Sequence, residues 1–148
     1  MTVFDSYSRD QLRRTYAEAW RKHIAKLPLA PLEALICDVV VVHPEYHGLV
    51  SDAEMAVAFE PVRSGAAENP FLHLGLHLAI REQIVIDRPP GVTELHRQLQ
   101  ARCGDGHRAE HVLMEALAEA LAEAQRCGGA PDEGRYLALA RRRLAAPM

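Results

Sequence analysis

Apolar residues recur along the chain at intervals of three and four, the spacing that lines up one face of an α-helix. Leu12, Tyr16, Ala19, Trp20 and His23 or Ile24 keep this rhythm through RDQLRRTYAEAWRKHIAK, residues 9–26, with Ser8 placed to cap its start. LPLAP ends that segment, and Pro31 suits the first residue of a second helix, where the missing N–H has no partner to lose. The second segment, PLEALICDVVVVH, carries four consecutive valines that favour a strand by propensity. Its opening at Pro31 and the Leu-Glu-Ala-Leu run predict a helix nonetheless, because burial overrides a β-branched preference.

Pro44 disfavours helical geometry at His43 and cannot donate to Val40, so HPEYH should kink or restart the chain. A short helix is expected near 51–58, then a loop in EPVRSGAAE, residues 60–68. Asn69-Pro70 reads as a cap followed by a first-turn proline, opening a helix to about Asp87 that RPPG closes. Thr93 with ELHRQLQARCG predicts another helix, stopped by Gly104. Asp105 should cap a long one through to Gly128, and PDEGRYLALARRRL a last one with basic residues in its final turn. The pattern has no repeat and no strong hairpin signal, so the expected fold is all-α, a bundle-like domain of five to seven helices spanning residues 1–148.

Composition narrows the function. A formal charge of −3 with both signs interspersed offers no basic field for a phosphate backbone, which argues against nucleic acid. The most apolar run, ALICDVVVV, is interrupted by Asp38 and ends at His43-Pro44, far short of the roughly 20 residues that span a bilayer. The three cysteines, Cys37, Cys103 and Cys127, form no close pair, and MTVFDSYSRDQLRR is too polar for a signal peptide, so a reduced cytoplasmic protein is expected.

Histidine is the compositional oddity: eight residues, six of them in pairs four apart, His43 and His47, His73 and His77, His107 and His111. Random placement would give roughly 0.4 such pairs in a chain of this composition, and i, i+4 is the spacing at which a helix offers two ligands to one ion. His73 and His77 sit in NPFLHLGLHLAIREQ, a helix apolar nearly all round and therefore expected to be buried. Asp38, on a similarly apolar helix, would need a partner if buried. On the long helix after Asp105, Glu110 falls within the stripe of Leu113, Met114, Leu117 and Leu121, with His107 at its edge and His111 farther out. Glu115, Glu119 and Glu123 run onto the opposite face. The positive end of that helix should keep His107 neutral and able to ligate.

These residues point to one or two divalent transition-metal ions held between helices, with His43, His47, His73, His77, His107, Glu110, His111 and Glu115 as candidate ligands and Asp38 as support. Imidazole with carboxylate suits zinc, iron, nickel or copper, and an open position would permit hydrolytic or oxygen chemistry. The competing reading is a non-enzymatic interaction or regulatory domain, in which the same imidazoles form a buried hydrogen-bond network and the partner is a protein or a second copy. His23 and His96 read as structural or exposed.

SRDQLRRTYAEAWRK, HPEYH, NPFLHLGLHLAIREQ, GDGHRAEHVLMEALAEAL and PDEGRYLALARRR together resemble a family of small bacterial proteins catalogued as domain of unknown function 1841. The resemblance spans nearly the whole chain and implies a stand-alone cytoplasmic domain, without supplying a mechanism.

Overall fold

Ser8 begins the described chain as a reciprocal cap: its Oγ accepts from the Gln11 N–H at 3.2 Å while the Gln11 side-chain oxygen accepts from the Ser8 N–H at 2.9 Å. From it runs α1, Arg9–Ile24, in a computed structural model that describes residues 8–60 and 69–147. Most of the loop expected at 60–68 lies outside the described residues. The chain divides into two compact units, residues 1–78 and 79–148, and the division falls inside the fourth helix.

In the first unit α2, Pro31–Val41, confirms a helix where the valines favoured a strand. Val39 and Val40 are fully buried with Tyr16, Trp20 and Ile36, whereas Val41 and Val42 are exposed, so burial of the two inward valines overrides the propensity of the run. Pro44 stops the helix as expected, and Pro44–Tyr46 forms a single 3-10 turn. Asp52 then caps α3, Ala53–Ala58, by accepting from the Glu54 and Met55 N–H groups.

Arg13 closes the other end of α3. Its buried guanidinium donates from Nη1 to the carbonyls of Ala56 at 3.1 Å and Phe59 at 2.6 Å, groups that the end of the helix leaves without partners. The same guanidinium stands 4.3 Å over the ring of Phe71, at the start of α4. That helix, Pro70–Ile86, opens on Asn69, whose Oδ1 accepts from the N–H groups of Phe71 and Leu72.

The second unit takes up the rest of α4 and adds α5, Val92–Cys103, α6, Gly106–Cys127, and α7, Glu133–Ala145. Asp87, in the left-handed region at φ 51°, ends α4 and accepts at Oδ1 from the N–H groups of Gly91 and Thr93. Thr93 therefore does not cap α5. The helix starts one residue earlier, after Gly91 at φ 99°, and the Thr93 hydroxyl donates back to the Ile84 carbonyl. Gly104 and Gly128, at φ 74° and 73°, terminate α5 and α6 where glycine was expected to.

Leu95, Leu99, Leu113, Met114, Tyr136, Leu137 and Leu139 make the apolar centre of this unit. The acidic side of α6 meets the basic end of α7, with Arg143 bonded to Glu119 at 3.0 Å and Arg135 held by both oxygens of Glu123. The described residues thus form seven α-helices and one 3-10 turn with no strand, an all-α fold. None of these helices is long and apolar enough to cross a membrane.

Candidate metal centre

The break at Pro44 builds the first part of the site. It takes His43 out of helical geometry, to φ −126° and ψ 68°, so that His43 and His47 no longer share a helix face. His43 turns inward and is buried, with Nδ1 2.8 Å from the Val39 carbonyl oxygen. A carbonyl only accepts, so Nδ1 carries the proton and Nε2 presents a lone pair. His47 goes elsewhere: its Nε2–H donates to the Val40 carbonyl at 2.9 Å, and its ring packs 4.4 Å from Trp20. The structure therefore separates a pair that spacing alone would have put on one ion.

The second pair keeps its geometry. His73 and His77 lie one turn apart on α4, ring centres 4.9 Å apart and nearly edge-on. His77 is completely buried and stands 4.7 Å from the ring of His43. His73, half-buried, brings its Nε2 within 3.1 Å of His43 Nε2. Tyr46, which spacing did not single out, stacks on His43 with the planes 5° apart and meets His73 edge-on. The 3-10 turn places it there, one residue before His47 in HPEYH.

In the second unit His107 and His111 face each other along α6 at 4.3 Å between ring centres. Asp105 anchors the start of that helix, accepting from the His107 N–H at 3.0 Å. Glu110 is buried, as its place in the apolar stripe required, and takes a hydrogen bond from Arg81 Nε on α4 at 2.9 Å. Arg81 was not foreseen, although it stands four residues after His77. Glu115 is exposed and lies 3.6 Å from Arg143. Asp38 is also exposed, so the need for a buried partner that an apolar helix implied does not arise. Asp38 lies on the outward side of the helix together with the exposed Val41 and Val42.

Four of the described histidines, His43, His77, His107 and His111, form a group that could hold a metal ion, each with one ring nitrogen. His73, His47, Glu110 and Glu115 fall outside it. The cysteines add no ligand to it. Cys37 is buried, donates to the Ala19 carbonyl at 3.3 Å, and has its thiol pushed up to about 11 by burial first and then by the charges of Asp38 and Glu33.

Neither the curated proteins nor the solved structures contain a match to the chain. The family model described as domain of unknown function (DUF1841) matches residues 8–142, and the chain belongs to that family.

Proposed function

We propose that the protein binds one divalent transition-metal ion through a ring nitrogen of each of His43, His77, His107 and His111. The observation that carries this reading is the grouping of those four imidazoles as potential ligands.

Two features within the units support it. His43 is oriented for ligation, because the Val39 carbonyl holds a proton on Nδ1 and turns Nε2 toward His73, the arrangement in which a second hydrogen bond orients a ligating imidazole. In the second unit Arg81 is tied to Glu110 on α6, between His107 and His111 in sequence. Four imidazoles without a carboxylate suit zinc, nickel or copper, with iron the less natural choice. Glu110, bonded to Arg81, acts in this reading as a fixed part of the surroundings, and Glu115 plays no part.

An alternative has its own observation. The 3.1 Å separation of the Nε2 atoms of His43 and His73 is a direct imidazole–imidazole hydrogen bond, as a buried polar network without metal would have. Titration of chelator-treated protein with zinc or cobalt(II) separates the two. The metal reading expects one equivalent bound, with binding weakened at least a hundredfold in His77→Ala and in His107→Ala. The network reading expects no saturable binding in any of the three proteins.

A further inference from the structure

The turn after α2 brings the ring of Tyr46 face to face with that of His43. Pro44 ends helical geometry at His43, and the Tyr46 N–H donates back to the His43 carbonyl at 2.9 Å. The Val50 N–H then donates to the Tyr46 carbonyl at 3.2 Å, so the backbone of Tyr46 is held on both sides. Residues three apart on a 3-10 turn eclipse each other, and His43 and Tyr46 have that spacing. Their ring centres lie 5.3 Å apart with the planes only 5° from parallel. Parallel rings at that separation are offset, the arrangement that aromatic pairs favour.

A ligating imidazole is aimed by a point and a plane. The Nδ1 bond to the Val39 carbonyl at 2.8 Å supplies the point, and the Tyr46 face supplies the plane. His73 stands nearly perpendicular to both rings, at 76° to His43 and 70° to Tyr46, so the parallel pair meets it as one wall. All of these contacts lie within the first unit.

We propose that Tyr46 is a positioning residue for the metal centre, acting through His43, whose ring plane and Nε2 direction its face holds. This rests on the four-histidine reading above. The contact is made by the ring, so the phenol hydroxyl is not required.

Nitrogen-15 NMR of the histidine rings and cobalt(II) titration test this on the whole chain. In chelator-treated wild type the His43 Nδ1–H should exchange slowly with solvent. Tyr46→Phe, which keeps the face, should match wild type in that exchange and in cobalt affinity. Tyr46→Leu should keep the helical circular dichroism, exchange the Nδ1 proton faster, and bind cobalt about three- to tenfold more weakly with an altered visible band, the size of effect an aromatic pair contributes. A role in packing alone would lower stability in urea while leaving the Nδ1 exchange and the cobalt band as they are, and that result would overturn the inference. Weakening of cobalt binding by more than about twofold in Tyr46→Phe would overturn it as well, a check that stands even if the leucine variant does not fold. Wild-type protein that takes up no cobalt would overturn the four-histidine reading itself, and the wild-type titration alone tells that outcome from a failure confined to Tyr46.

Discussion

His43 donates from Nδ1 to the carbonyl oxygen of Val39 at 2.8 Å, and this bond decides what the rest of the ring can do. It holds a proton on Nδ1 and sets Nε2 3.1 Å from His73 Nε2, with the ring centre of His77 4.7 Å away. The carbonyl is available because α2 ends at Val41, and α2 ends there because Pro44 follows. Replacing Pro44 by alanine should let α2 extend, move His43 back toward the His47 face and weaken metal binding tenfold or more without unfolding the chain. Metal titration beside circular dichroism checks both halves.

His77 is fully buried, and removing its ring opens a cavity lined by core side chains. His77→Ala should lower stability by about 2–4 kcal/mol even in chelator, a loss independent of any metal. Urea unfolding of wild type and variant, each with and without zinc, separates the packing term from the ligation term. Only the wild type should gain stability from zinc.

Arg81 and Glu110 form an ion pair whose side chains are only 25% and 10% exposed. Glu110→Ala would leave the guanidinium without its counter-charge and should cost about 2–3 kcal/mol, whereas Arg81→Met with Glu110→Leu together should cost less than either change alone. A double-mutant cycle in urea gives the coupling. If Glu110 were a metal ligand, its replacement would also abolish metal uptake, and here uptake is expected to survive.

The sequence carried most of the helices because each start and stop has a local cause. Ser8, Asp52, Asn69, Asp105 and Asp132 cap helices that also show the apolar rhythm, and Gly104 and Gly128 end theirs in left-handed geometry. Thr93 misled by one residue because its hydroxyl is spent on the Ile84 carbonyl while Asp87 organises the turn, and that contact depends on how the chain folds back after α4. The site was legible in part. Spacing identified His73 with His77 and His107 with His111, because helical periodicity survives in both. It could not place His47 against Trp20, since a proline announces a break without saying where the ring beyond it will land. Nor could it show Arg81 as the partner that occupies Glu110.

Cys37 gives the chain a predictable response to alkali. In the unfolded chain its thiol should ionise near the ordinary value of about 8.5, while burial holds it protonated up to about 11 in the fold. The folded state binds the extra proton between those values, so this contribution to stability is whole below about pH 8.5 and lost as pH rises toward 11. Urea midpoints at pH 8 and pH 10 should fall further for wild type than for Cys37→Ala. In native protein at pH 8, an alkylating reagent should label exposed Cys127 well before Cys37.

The central claim is that four imidazoles ligate one ion, and metal content tests it most directly. Untagged protein, purified without chelator, would be analysed by elemental mass spectrometry beside His43→Ala, His77→Ala, His107→Ala and His111→Ala. The account predicts about one equivalent of a single transition metal in the wild type, sharply reduced in all four variants. Wild-type protein holding less than about a tenth of an equivalent, and unable to take up added zinc, nickel or copper, would contradict it.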